Sequence, residues 1–144
     1  IMSQLEHPNI VRYRGTDRKG DMLYIFLELS PKGSISVVLR RWRPRFQMET
    51  LIIIYKQILQ GLDFLHNQLL PIIHRDVKGA NVLLWADAVC KLADFGASKK
   101  LNALRTGTNE NKTLIGTPFW MAPEVIRESG HGRKADVWSV GCTV

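Results

Sequence analysis

The stretch from Met48 to Asn67 constrains the fold more than any other. Leu51, Ile54, Tyr55, Ile58, Leu62 and Leu65 recur there at i, i+3, i+4 and i+7, the spacing that lines one face of an α-helix. A helix of this kind draws most of its stability from whatever covers the stripe, so other elements must be laid against it. Ile52 and Ile53 broaden the stripe, which predicts burial on more than one side. Upstream, "NIVRYRGT" reads as a strand, "DRKGD" as a polar turn and Met22 to Leu29 as an apolar strand; together they predict an antiparallel hairpin. His7-Pro8 ends the helical spacing of Ile1, Met2 and Leu5, because proline blocks helix continuation. A "SPKGS" loop and a short helix from Ile35 to Arg41 follow the hairpin. After Pro71, "NVLLW" and "VCKLAD" form a small hairpin around "ADA", and a second buried helix begins at Asp136. Phe95 to Pro123 has no sustained period and predicts a long loop, a feature that carries function when it interrupts a compact domain.

Lys and Arg outnumber Asp and Glu by 20 to 13, a formal charge of +7. That balance suits an anionic partner without choosing among phosphate, nucleic acid and acidic peptide. Trp42, Trp85, Trp120 and Trp138 do not interleave with the basic residues as a base-stacking platform requires, so no nucleic-acid partner is expected. Cys90 and Cys142 stand far apart in apolar runs, predicting buried free thiols. With no signal peptide and no long apolar segment in this sequence, the expectation is a cytoplasmic chain without a membrane segment. The chain opens on apolar residues with no capping signal and closes inside an apolar run, the pattern of an excerpt from a larger domain.

Four segments carry the chemistry, in this order: "HRDVKGAN" at 74–81, "DFG" at 94–96, "GTPFWMAPE" at 116–124 and "DVWSVGC" at 136–142. The first places a carboxylate, a cation and an amide in one short loop, as Asp76, Lys78 and Asn81; Asp94 adds a second carboxylate. The joint set resembles the middle of a eukaryotic protein kinase domain, and the resemblance covers essentially the whole chain. It implies an α+β, protein-kinase-like two-lobe fold that is incomplete here. Residues 1–29 would be the end of the N-lobe and the hinge, and 30–144 a partial C-lobe with the catalytic loop and activation segment.

The resemblance also assigns roles. Phosphoryl transfer depends on positioning and charge neutralisation more than on covalent help. Asp76 is expected to receive or orient the proton of the attacking hydroxyl, and Lys78 to neutralise the transferring phosphate of ATP. Asn81 and Asp94 are expected to hold Mg2+ through hard oxygen ligands. Leu27 falls at the gatekeeper position; Glu28, Leu29 and Ser30 form the hinge, with Ser34 near the ribose and Leu83 under the adenine. Thr113 is expected to carry an activating phosphate that pairs with Arg75, with Ser98, Thr106 and Thr108 as alternatives. Lys78 and Thr117 together imply serine/threonine specificity, Thr117 touching the aspartate and the lysine. Met2, Tyr13, His74 and Phe95 match a stack linking the lobes; Asp136 is expected to anchor His74, and Glu124 to play a structural role.

"GSI", "RDVKGANVLL", "KLADFGASKKL" and "GTPFWMAPEVI" resemble the mitogen-activated protein kinase kinase kinases, which implies a MAP kinase kinase as protein partner and a place in signal transduction. The sterile-twenty-like kinases share much of this wording and remain an alternative, as does a non-catalytic kinase-like binding or scaffold module. "HNQLLPIIH" is longer than the subfamily's usual connection and predicts a bulged approach to the catalytic loop. The family's glycine-rich phosphate loop, its strand lysine and its helix glutamate have no match among these residues, so the isolated chain is expected to be inactive.

Overall fold

The computed structural model describes residues 2–42, 47–100 and 116–143. The first hairpin pairs β1 (Tyr13–Lys19) with β2 (Met22–Leu27). β1 starts later than the "NIVRYRGT" pattern suggests and runs through the expected polar turn, which shrinks to Gly20 and Asp21. Gly20 takes φ +61° there, a value tight hairpin turns need and glycine accepts without strain. Ile10 and Val11 are not lost to the core: Ile10 bridges to Leu92, and the Val11 N–H donates to the Leu92 carbonyl (2.9 Å).

After α1 (Ile35–Trp42) comes the long helix α2 (Met48–His66). Ile54, Ile58, Leu62 and Leu65 are buried, as the stripe predicts. They form one core with Leu5, Ile10, Ile35, Ile72, Val77, Val82, Leu84, Cys90, Leu92, Phe95 and Val140. At roughly 1.5–3 kcal/mol for each fully buried large aliphatic side chain, this is the dominant favourable contribution. Ile52 and Ile53 are exposed, which corrects the expectation of two-sided burial: the strands and α4 that pack on α2 meet it along the Ile54–Leu65 stripe.

The rest of the chain is built from short pieces. β3 (Ile72–Ile73) pairs with β6 (Lys99–Lys100), and β4 (Val82–Leu84) with β5 (Cys90–Leu92), both antiparallel. The second pair is the expected hairpin, closed by the Trp85 N–H on the Val89 carbonyl (2.9 Å). In the connection between α2 and β3, Leu69 and Leu70 are exposed. Two further helices follow, α3 (Pro123–Ile126) and α4 (Arg133–Gly141). α4 begins ahead of Asp136, because Gly132 rather than the apolar pattern sets its start. Cys90 is buried and burial pushes its thiol up to about 11, whereas Cys142 is exposed, contrary to expectation. Among the described residues no helix is long and apolar enough to cross a membrane.

α2 is locked to the N-terminal segment by polar groups as well as by packing. The buried Asn9 donates through Nδ2 to Gln57 Oε1 (3.1 Å) and to the Cys90 carbonyl (2.9 Å). Gln57 Oε1 also accepts from the Cys90 N–H (2.8 Å), while its Nε2 donates to the Ala88 carbonyl (2.9 Å). Buried amides are tolerated when their hydrogen bonds are made. Gly61 makes the approach possible, since a Cβ there would lie 2.9 Å from the Asn9 carbonyl oxygen and 3.1 Å from Leu92 Cδ1. In an open helix Gly→Ala stabilises by about 1 kcal/mol. Here Gly61→Ala is expected to lower the urea unfolding midpoint, by an overpacking cost of roughly 1–3 kcal/mol. A raised midpoint would show that α2 and the Asn9 backbone separate freely.

Candidate active site

Burial at two positions of "HRDVK" sets the site. His74 and Val77 are fully buried, which leaves Asp76 and Lys78 to face outward from the loop between β3 and β4. The loop closes on itself through the Asn81 N–H and the Lys78 carbonyl (2.8 Å). Its outer turn meets α1, whose Ser36 N–H donates to the Gly79 carbonyl (3.0 Å).

Around Asp76 the bonding is dense. Lys78 Nζ donates to Oδ2 (2.8 Å), Thr117 Oγ1 donates to Oδ1 (2.6 Å), and Asn81 Nδ2 donates to Oδ2 (2.9 Å) and to the Asp76 carbonyl (2.8 Å). Lys78 Nζ also reaches Thr117 Oγ1, so Thr117 touches both partners, as expected. Burial works to raise the Asp76 pKa, but the bonds from Lys78, Thr117 and Asn81 and the lysine charge outweigh it. The carboxyl is held below its ordinary range. An ionised carboxylate that already accepts from three donors and keeps room for another can orient a hydroxyl but is not poised as a strong base.

His74 fixes the loop from below. Its Nε2 lies 3.1 Å from the Ala93 carbonyl, which can only accept, so that nitrogen carries the proton; Nδ1 then accepts from the Asp76 N–H (3.4 Å). Burial depresses the imidazole pKa against the pull of Asp136 and the Ala93 carbonyl, in keeping with this neutral tautomer. The His74 ring packs on Phe95, centroids 5.1 Å apart, and Met2 packs against the same core. Tyr13 is half-buried on β1, its hydroxyl donating to Thr16 (3.1 Å). Asp136 anchors the loop as expected, accepting from the backbone N–H groups of His74 (2.9 Å) and Arg75 (2.8 Å). Its third partner, His66 Nε2 at 2.7 Å, was missed in the sequence although His66 follows Leu62 at helical spacing on the buried stripe.

The "DFG" segment lies alongside. The Asn81 carbonyl accepts from the Ala93 N–H (2.9 Å), which sets Asp94 next to the loop. Asp94 is exposed at φ +62°, its Oδ1 accepting from the Gly96 N–H (3.3 Å). Arg75 also has a positive φ, +69°, and its Nε donates to the Ala97 carbonyl. Ser98 Oγ donates to the His74 carbonyl (3.3 Å). Gly116, at φ +135°, passes so close that a Cβ would lie 2.7 Å from the Arg75 carbonyl oxygen. Glu124 is half-buried on α3. Thr106, Thr108 and Thr113 lie outside the described residues.

The hinge expectation falls on the strand end after Leu27. Leu27 and Leu29 are exposed. The Glu28 N–H donates to the Arg12 carbonyl (2.9 Å), and its carboxylate accepts from the Arg12 N–H (2.7 Å) and Lys91 Nζ (2.7 and 2.9 Å). Burial opposes ionisation of Glu28, but these donors win and lower its pKa. Lys91 also stands over the Trp85 ring, 4.8 Å from its centroid; its role was not read from the sequence. Ser30 Oγ donates to the Leu84 carbonyl (2.7 Å). Ser34 is buried, accepting from the Val37 N–H (3.3 Å) at the start of α1 and bridging to the half-buried Leu83.

The family profile for the protein kinase domain matches residues 1–144. Mitogen-activated protein kinase kinase kinase 3 of Arabidopsis thaliana is 51% identical over 144 residues, covering 100% of this chain and 22% of that protein. Mitogen-activated protein kinase kinase kinase ANP1 of Arabidopsis thaliana is 51% identical, with 100% and 21% covered. Mitogen-activated protein kinase kinase kinase A of Dictyostelium discoideum is 47% identical, with 100% and 15% covered. The chain thus spans about a fifth or less of the length of these relatives.

Asp76 should titrate below about 3.9, the ordinary aspartate value, when followed by carboxyl carbon NMR. Its contribution to stability is therefore fully present above the unfolded pKa and lost as pH falls through the lowered folded one. Thr117→Val removes the donor to Oδ1 and is expected to move the midpoint upward. An unmoved midpoint would show that Thr117 does not bond the carboxylate in solution.

Proposed function

The chain belongs to the protein kinase family, and from that premise we propose that the protein carrying it transfers phosphate from ATP to serine or threonine hydroxyls of a MAP kinase kinase, in the cytoplasm. The carrying observation is the closed cluster of Asp76, Lys78, Asn81 and Thr117. A binding or scaffold module has no need of a carboxylate, a cation and an amide bonded in this manner. The 47–51% identity to three mitogen-activated protein kinase kinase kinases supports the MAP kinase cascade in this reading.

In this reading the chain divides at the hinge, 1–29 belonging to the N-lobe and 30–144 to the C-lobe. Asp76 accepts the hydrogen bond of the substrate hydroxyl and aims its oxygen. Lys78 places positive charge where negative charge accumulates on the transferring group. Thr117 holds these two in register. The donor set fits Mg2+: both described bonds of the Asn81 amide use Nδ2, so its Oδ1 is the oxygen that would serve a cation, and the exposed Asp94 supplies a carboxylate. Asn81 and Asp94 would hold the ion. Bound Mg2+ would offset the charge of the ATP phosphates. The Glu28 N–H is already engaged by Arg12, so the adenine contact assigned to Glu28 falls to its carbonyl, with Leu27, Leu29, Ser30, Ser34 and Leu83 around the nucleoside. Arg75 is the receiver for a phosphate on Thr113.

Asp76→Asn in the full-length protein is expected to cut kcat on the order of 10²–10⁴-fold while nucleotide affinity stays close to wild type; undiminished turnover would remove Asp76 from the reaction. Phosphoamino-acid analysis of a MAP kinase kinase substrate should show phosphoserine or phosphothreonine, and phosphotyrosine alone would overturn the specificity. Thr113→Ala should lower activity, and mapping the phosphate to Thr106 or Thr108 with full activity retained would move the switch there.

A further inference from the structure

Lys91 is a sheltered cation that the reaction leaves unassigned. It lies opposite Leu83 in the β4–β5 pair. Val82, Leu84, Cys90 and Leu92 are buried in the core, so Leu83 and Lys91 leave the hairpin together on its other face. Lys91 Nζ reaches both carboxylate oxygens of Glu28 (2.7 and 2.9 Å) and stands 4.8 Å from the centroid of the Trp85 ring. The side chains of Lys91 and Glu28 are only 17% and 13% exposed, which spares the pair much of the screening that weakens ion pairs in open solvent.

The pair joins two pieces of the chain that divide the nucleoside contacts between them. Leu83 belongs to the β4–β5 hairpin. Glu28 follows β2 and is bonded to the segment leading into β1: its N–H donates to the Arg12 carbonyl (2.9 Å), and its Oε1 accepts from the Arg12 N–H (2.7 Å). On the side entering β1 the two pieces are joined by backbone, through the Val11 N–H on the Leu92 carbonyl (2.9 Å). On the side leaving β2, Ser30 Oγ donates to the Leu84 carbonyl (2.7 Å), while Leu29 before it is exposed. Glu28 itself is tied to β5 through Lys91. A carbonyl accepts well only over a narrow range of distance and angle, so the height of the Glu28 carbonyl above Leu83 decides whether a base lying on Leu83 can donate to it. We propose that Lys91 is a positioning residue that sets base specificity: by fixing Glu28 over the β4–β5 hairpin, it holds the Glu28 carbonyl where the amino group of adenine can donate to it. The proposal rests on the kinase reading given above. A lysine that only neutralised a sheltered carboxylate would support every base equally.

Purine riboside triphosphate, which is ATP without the amino group, separates these roles in the full-length protein. Lys91→Met keeps the length of the side chain and removes its charge. It is expected to weaken ATP binding about 10-fold by calorimetry, the size of one net hydrogen bond. Binding of purine riboside triphosphate should change less than about two-fold, and kcat at saturating ATP should stay within about two-fold of wild type. Lys91→Arg returns a cation and should restore most of the ATP affinity. Glu28→Gln keeps the bond from the Arg12 N–H but gives up the charge that Lys91 grips, and should show the same loss for ATP alone. Unchanged ATP affinity in Lys91→Met would overturn the proposal, as would unchanged affinity in Glu28→Gln if the methionine variant does not fold. Equal weakening of both nucleotides would reduce Lys91 to a structural neutraliser and overturn it as well. A wild-type protein that binds neither nucleotide, with amide hydrogen exchange at Glu28 still faster in Lys91→Met, would sink the kinase reading and leave the tie between Lys91 and Glu28 standing.

Discussion

Asp136 reaches from α4 into the space beneath the catalytic loop, where its two oxygens accept from His66, His74 and Arg75. A carboxylate fully removed from water is costly unless its hydrogen bonds are made, and removing one partner of such a buried group typically costs about 3–5 kcal/mol. The bonds join three places in the chain: the end of α2, the start of the loop and the first turns of α4. Each of those segments is short or irregular where it meets the others, so packing alone would leave their relative positions soft. The buried charge makes them one unit.

Above that anchor the loop carries two layers. His74 and Val77 face down into the core, and Asp76, Lys78 and Asn81 face up into a cluster closed by Thr117. The lower layer is apolar or neutral: His74 donates to a carbonyl and accepts from an amide, so it brings no charge beneath the site. The upper layer is ionic and closely bonded within itself. Lys91 does comparable work beyond the end of β2, where its ammonium ties Glu28 to β5 and draws further support from the Trp85 ring.

What could be read in advance followed from periodicity. The α2 stripe and the "NVLLW"/"VCKLAD" hairpin come from such patterns, whereas Asp76 and Lys78 were picked out by the resemblance. Thr117 was identified from the resemblance and not from any pattern, since it lies far from Asp76 in sequence. His66 and Lys91 had weaker signals. His66 sits on an apolar stripe, and a polar group there must find a partner; Lys91 alternates with the buried Cys90 and Leu92 and so faces away from that core. Neither signal says which partner waits across the fold. Ile52 and Ile53 failed for the converse reason: apolar character is necessary for burial but does not ensure a neighbour to supply it. The start of β1 slipped because Ile10 and Val11 pair with β5 instead of extending the hairpin.

Gly116 and Thr117 are consecutive, and each touches a different part of the catalytic loop: one lies against the Arg75 carbonyl, the other bonds Asp76 and Lys78. A single contact between two segments fixes a distance and leaves a swivel. Two contacts from adjacent residues fix a direction too, so the chain leaving this point toward Pro118 has its heading set by the loop. Phe119, exposed just beyond, is thereby carried on a bracket whose orientation is shared with Asp76, and whatever surface meets that ring is presented to Asp76 and Lys78 at a constant angle.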